Sequence, residues 1–276
     1  MTHSIKARTT LNNGSEMPWL GLGVYKLANG GEVEDAIRYA LDIGYRSIDT
    51  ASIYENEAGV GRALRDCGIP RDEIFLTTKL WNTDQRERRQ LAAFEESLDR
   101  LGLDYVDLYL VHWPVADRFQ ETWPLMEEIY DSGRARAIGV SNFMQDHLEK
   151  LMDDCRIVPA VNQVEFHPHL VQPELLDFCE RHEIRLEAWS PLMQGEVTDE
   201  PTIVALAKKY GKSPAQVVLR WDLQHGVVTI PKSGRPERIA ENAGIFDFEL
   251  AAGDMTLLDG LDQGRRLGPS PWQVDF

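Results

Sequence analysis

The stretch that decides the fold runs from Ile74 to Val111. It opens on Ile74-Phe-Leu-Thr-Thr-Lys79, passes through Leu91, Phe94, Leu98 and Leu101, and closes on Val106-Asp-Leu-Tyr-Leu-Val111. The two end runs are short and apolar, as strands covered on both faces are. The residues between them recur at three and four positions, the spacing of a helix that buries one side. The whole reads as one strand–helix–strand unit, and strands joined through a helix lie parallel.

The same alternation extends both ways. Further strand-like runs occupy residues 20–25, 46–49, 137–140, 161–164, 186–189 and 227–230, which makes eight in all. Val33, Ile37, Ala40 and Leu41 form one helical stripe, and Ile203, Leu206, Ala207 and Tyr210 form another. Ser213-Pro-Ala-Gln216 combines an N-cap, a first-turn proline and a capping-box glutamine. Pro173 similarly opens a helix over 174–181. Asn13-Gly14 reads as a two-residue hairpin turn. Eight strands alternating with helices in 276 residues predict one domain over residues 1–276, an α/β protein of the (β/α)8 TIM-barrel type with a short N-terminal β-hairpin. An open doubly wound sheet would carry G-x-G-x-x-G between strand and helix. Gly21-Leu-Gly23 and Gly59-Val-Gly61 both lack the third glycine, and the second lies inside a helical pattern.

Composition narrows the function. The chain has 29 basic and 45 acidic residues, a net charge of −16, with 8 Lys against 21 Arg. Such a surface repels nucleic acid. It suits high salt, and a GC-rich genome that replaces Lys with Arg gives the same count. An anionic ligand would need a local basic cluster. No apolar run is long enough to span a membrane, and Met1-Thr-His-Ser-Ile-Lys-Ala-Arg lacks the apolar core of a secretion signal. Cys67, Cys155 and Cys179 are odd in number and contain no C-x-x-C pair, so a reducing, cytoplasmic setting is expected.

Barrel chemistry sits at the C-terminal ends of the strands. Those ends carry Asp49, Lys79 and His112, and Tyr54 follows Asp49 closely enough for its loop to fold back over the same mouth. Lys79 and Asp49 should pair in a partly dry site. The ammonium is expected to lower the Tyr54 pKa and make the phenol a general acid. A neutral His112 would hydrogen-bond a carbonyl oxygen. These are the parts of a carbonyl-reducing site that lacks only a hydride donor. His167-Pro-His169 has the form of a metal-ligand pair, but no further strand-end histidine except His112 supports it, and no metal is expected. His3, His147, His182 and His225 fall in tail or helix-surface positions and need no role.

Gly44-Tyr-Arg-Ser-Ile-Asp-Thr-Ala51 with Tyr54-Glu-Asn-Glu57 resembles the signature of the aldo-keto reductase family. So do Leu110-Val-His-Trp-Pro114, Gly139-Val-Ser-Asn-Phe143 and Ile230-Pro-Lys-Ser233, in family order. Ala188-Trp-Ser-Pro-Leu192 and Ile245-Phe-Asp-Phe248 are similar to the bacterial glyoxal, methylglyoxal and 2,5-diketo-D-gluconate reductases and to protozoan prostaglandin F synthases. The resemblance implies a barrel that uses NADPH to reduce small aldehydes, ketones and dicarbonyls, with Asp49, Tyr54, Lys79 and His112 catalytic and Tyr54 the proton donor. It implies that Ser141, Asn142 and Gln163 hold the nicotinamide carboxamide, Trp189 stacks on its ring, and Ser190 and Leu192 line the pyrophosphate path. Lys232, Ser233 and Arg238 would take the 2′-phosphate, favouring NADP, and Glu241 and Asn242 the adenine. Lys232-Ser-Gly-Arg-Pro-Glu-Arg238 is thus the basic cluster that the acidic background calls for. Tyr25, Trp81, His112 and Trp113 would line the substrate pocket, with Phe119, Trp123 and the tail 271–276 bordering it. Short loops suggest small substrates. The resemblance implies a monomer, and charge and hydropathy leave no nucleic-acid or membrane partner expected. The alternative is a nucleotide-binding sensor or scaffold subunit on the same fold, without significant turnover.

Overall fold

The protein is described here by a computed structural model covering residues 4–276; His3 lies outside the described residues. The chain begins with the hairpin β1 (Arg8–Thr10) and β2 (Glu16–Pro18), then enters an eight-stranded parallel sheet. Its strands are β3 (Leu22–Gly23), β4 (Ser47–Asp49), β5 (Phe75–Leu80), β6 (Leu108–Val111), β7 (Ile138–Ser141), β8 (Val161–Glu165), β9 (Arg185–Trp189) and β10 (Val228–Thr229). They neighbour one another in chain order. The parallel bridges Leu20↔Thr229 and Gly23↔Lys232 join the first strand to the last and close the barrel.

The outer helices are α1 (Gly31–Asp42), α2 (Glu57–Asp66), α3 (Asn82–Arg86), α4 (Gln90–Leu101), α5 (Phe119–Asp131), α6 (Gln145–Met152), α7 (Pro173–Arg181), α8 (Pro201–Tyr210), α9 (Pro214–Gln224), α10 (Pro236–Ala243) and α11 (Ala252–Asp259). The predicted capping box forms at α9: Ser213 Oγ accepts from the Gln216 amide, and Gln216 Oε1 accepts from Ser213. The glycines that fail as a dinucleotide fingerprint have packing roles. A Cβ on Gly23 would lie 2.9 Å from the Ile230 carbonyl, so this residue lets the barrel close. A Cβ on Gly61 would lie 1.8 Å from the Leu101 carbonyl, so this one lets α2 meet α4.

Alternation along the strands sorts the interior by chemistry. Phe75, Leu108, Val161 and Val228 pack with Met17 and Leu11 of the hairpin in a separate apolar cluster that stops one end of the barrel. Further along the barrel the inward positions turn polar, at Thr77 and Lys79 of β5, Gln163 and Glu165 of β8, and Glu187 of β9. The apolar end supplies burial, and the polar end is left for chemistry.

Several expectations need correction. The hairpin connection runs from Leu11 to Ser15, closed by Leu11 N–H to Ser15 O at 2.8 Å, so Asn13-Gly14 sits inside a longer loop. Leu91 is 37% exposed, because α4 turns it away from the buried stripe. Phe119 and Trp123 do not border the mouth. They lie on the buried side of α5, where Phe119 packs on Phe143 and His147 and the Trp123 indole donates to the Ile157 carbonyl. His147 is buried rather than on a helix surface, and its Nδ1 accepts the Met144 N–H to cap α6. No helix among the described residues is long and apolar enough to cross a membrane.

Candidate active site

Four side chains from separate loops and strands meet at the polar mouth. Lys79, fully buried, donates from Nζ to Asp49 Oδ1 at 2.7 Å and to the Thr50 carbonyl at 2.8 Å. The same Nζ lies 5.0 Å from the centre of the Tyr54 ring. Tyr54 is carried by a short 3-10 turn, Ser52–Tyr54, and Ser52 Oγ ties that turn to the Lys79 carbonyl at 3.0 Å. The Tyr54 ring meets His112 edge-on, with centroids 5.8 Å apart.

Burial pulls the Lys79 pKa down, but Asp49 and the Tyr54 phenol outweigh it, so the ammonium stays charged with a raised pKa. Burial, with the Lys79 charge beside it, holds His112 well below its usual pKa, so the imidazole is neutral. Its Nδ1 is buried without a hydrogen-bond partner among the described residues, which leaves Nε2 as the nitrogen able to meet a ligand. Tyr54 departs from expectation. Loss of hydration raises its pKa to about 12, and the Asp49 carboxylate adds to the rise, so the pull of Lys79 does not win. The phenol therefore holds its proton across the neutral range.

A second set of polar groups joins this one. Asn142 sits in the left-handed region, φ 64°, where asparagine is tolerated better than most residues. Its Nδ2 donates to the His112 carbonyl at 3.0 Å, and its Oδ1 accepts the Trp189 indole N–H at 2.8 Å. Ser141 Oγ donates to the Gln163 carbonyl. Gln163 Nε2 donates to Asp49 Oδ2 and to Glu187 Oε2, both at 2.7 Å. Ser190 and Leu192 follow β9 half-buried, Ser190 also with positive φ, 52°.

Lys232 reaches the same rim through its bridge to Gly23. Ser233 is buried, and its Oγ accepts the Arg235 N–H at 3.0 Å just before α10. Most arginines of this acidic chain are paired, yet Lys232, Arg235 and Arg238 are exposed and have no ion-pair partner among the described residues. Three free cations beside a helix N-terminus suit a phosphate. On α10, Asn242 is buried and Glu241 is exposed.

The aromatic wall is built partly by the tail. Tyr25 packs on Tyr54 at 4.8 Å and Trp81 on His112 at 5.0 Å. Phe276 lies against both Trp81 and Trp113, while Asn82 and Arg86 donate to its main-chain oxygen. Glu165 anchors the tail further back by accepting from the Leu267 and Gly268 amides. His167 Nε2 contacts Glu165 and His169 Nε2 contacts Glu200, so the two histidines face different partners. Among the described residues no group of His, Cys, Asp or Glu is placed to hold a metal. Glu187 was missed in the sequence. Its signal was a lone acid within an apolar strand, two positions before Trp189 and so on the same inward face.

The model of the Aldo/keto reductase family matches residues 20–263. The glyoxal reductase of Bacillus subtilis is 55% identical over 276 residues, all of both chains. The methylglyoxal reductase DkgA of Salmonella typhimurium is 49% identical over 267 residues, 95% of this chain and 96% of that one. A crystal structure of an aldo-keto reductase complexed with NADPH superposes with a TM-score of 0.90 at 37% identity, covering 97% of this chain and 91% of that one.

Proposed function

Because the chain belongs to the aldo/keto reductase family, we propose that it is a single-domain NADPH-dependent reductase of small aldehydes, ketones and dicarbonyls such as methylglyoxal and glyoxal. The observation that carries this reading is the buried Lys79–Asp49 pair beneath a protonated Tyr54 and beside a neutral His112. The names of the relatives and the NADPH of the superposed structure support the substrate class and the cofactor.

The residues present fit NADPH. Lys232 and Arg238 offer unpaired cations to a 2′-phosphate. Ser233 would add a hydroxyl, and Glu241 and Asn242 would contact the adenine. Ser141, Asn142 and Gln163 offer the hydroxyl and amide groups that a carboxamide needs, and Trp189 offers an aromatic face. Bound NADPH supplies a hydride for the carbonyl carbon. His112 orients the substrate through a hydrogen bond to its oxygen. Tyr54 gives its phenolic proton to that oxygen as negative charge develops on it. Lys79 stabilises the tyrosinate left behind, and Asp49 holds Lys79 in place. Tyr25, Trp81 and Trp113, with Phe276, wall the pocket on one side, and the exposed Tyr25 leaves it open to small substrates.

A carbonyl panel tests the reading. Purified protein with NADPH should turn over methylglyoxal and glyoxal with higher kcat/KM than bulky steroid ketones. NADPH binding without turnover of any carbonyl would favour the sensor. Arg238→Ala should weaken NADPH about tenfold, one charge-assisted hydrogen bond to phosphate, and leave NADH unchanged. Equal weakening of both cofactors would remove the 2′-phosphate from this site.

A further inference from the structure

Glu187 has no role in the reaction just described, yet it lies inside the barrel, fully buried, one amide away from Asp49. We propose that Glu187 is a positioning residue: it holds the Gln163 amide against Asp49, which fixes the carboxylate that anchors Lys79 and leaves the amide oxygen free as an acceptor for the cofactor's carboxamide. The proposal rests on the reductase reading above.

The geometry carries it. One nitrogen, Gln163 Nε2, stands 2.7 Å from Asp49 Oδ2 and 2.7 Å from Glu187 Oε2. Asp49 is ionised by its pair with Lys79 and can only accept, so the amide end facing it must be the NH2 group, which then also donates to Glu187 Oε2. Both N–H donors are then used, and only Oε1 of Gln163 can meet a ligand, as an acceptor. Asp49 is fixed at the same time: Oδ1 takes Lys79 and Oδ2 takes Gln163. Without Glu187 the amide has only one acid to hold it and is free to rotate. That would loosen the Asp49 carboxylate and reverse the polarity shown to the cofactor.

The charge state agrees with this geometry. Glu187 Oε1 is buried and has no hydrogen-bond partner among the described residues, a costly place for an ionised oxygen. Burial, then the Asp49 charge, pushes the Glu187 pKa up to about 8, against the pull of Gln163 and Lys79. The charged groups that face it are Asp49 from β4 and Lys79 from β5. Gln163 faces it from β8, and its β10 neighbour Val228 brings no titratable group. At neutral pH Glu187 is an acid that accepts through Oε2. Its ionisation would add a negative charge beside the Lys79–Asp49 pair and make Tyr54 a weaker donor.

The test compares wild type, Glu187→Ala and Glu187→Gln. It measures the NADPH Kd by fluorescence, steady-state kinetics with methylglyoxal, and melting curves across pH. Glu187→Ala is expected to raise the NADPH Kd and lower kcat by about tenfold each, as loss of a supporting hydrogen-bond partner does. Glu187→Gln keeps an oxygen for the Gln163 N–H and should recover most of both losses. In wild type, kcat should fall as pH rises through about 8, and Glu187→Gln should lack that fall. Stability has the same sign: a carboxyl with a raised folded pKa contributes fully below its unfolded value and loses that contribution as pH rises through the folded one. Glu187→Gln should therefore melt above wild type at alkaline pH. If Glu187→Ala does not fold, the Glu187→Gln profiles decide. Unchanged Kd and kcat in Glu187→Ala, or Glu187→Gln profiles that overlay wild type, would overturn the proposal. A wild type that reduces no carbonyl would instead sink the reductase reading, and the Kd and melting arms would still test the Gln163 clamp.

Discussion

Tyr54→Phe is expected to lose about a hundred- to ten-thousand-fold in kcat, the range for removal of a positioned general acid. The phenylalanine keeps the ring that packs on Tyr25 and His112 and removes only the hydroxyl. The NADPH Kd should therefore stay within about twofold of wild type, because in the proposed mechanism the lost group acts in the chemical step. Stopped-flow measurement of the hydride step, with Kd taken on the same sample, separates the two. A variant that keeps its kcat would show that another group protonates the alkoxide. The raised Tyr54 pKa adds a pH signature. With the phenol pushed up to about 12, wild-type reduction should show no titration of Tyr54 near neutrality.

Lys79→Met should abolish measurable reduction and also destabilise the fold. The ammonium is fully buried and, among the described residues, is the sole cation bonded to Asp49, which is 2% exposed. Its removal strands the carboxylate in a dry site, with Glu187 close by. Breaking a buried pair in this way costs about 3–5 kcal/mol. Chemical denaturation followed by circular dichroism would register it. The double variant Lys79→Met with Asp49→Asn removes the stranded charge, so it should regain most of the stability and none of the activity. If Lys79→Met melts like wild type, the pair contributes nothing to stability. If the double variant regains activity, neither residue tunes Tyr54.

Much of the site was legible because barrel geometry turns strand ends into a list. Once the alternation from Ile74 to Val111 was read as strand, helix and strand, Asp49, Lys79 and His112 fell at neighbouring strand ends. Their meeting follows from parallel pairing in chain order. The basic cluster from Lys232 to Arg238 stood out against a net charge of −16. Trp123 differs because helical periodicity gives the buried side of a helix, and not whether that side meets the mouth or a neighbouring helix; His147 is buried because it caps α6 and packs on Phe119 and Phe143. The tail was expected at the pocket border, and the structure identifies Phe276 as the residue that packs there, against Trp81 and Trp113.

The sequence by itself determined the α/β alternation, the barrel, the helix cap at Ser213, the catalytic candidates and the basic run from Lys232 to Arg238. Each is written in neighbouring residues, through spacing, side-chain chemistry and turn preference. Only the tertiary structure decided the direction of the Tyr54 pKa, the neutrality of His112 and the clamp of Gln163 between Asp49 and Glu187. Desolvation and Coulomb energy depend on distances between strands far apart in the chain, and these become defined only when the barrel closes. A lysine beside a tyrosine predicts an acidified phenol; a lysine already neutralised by aspartate inside a dry barrel does not.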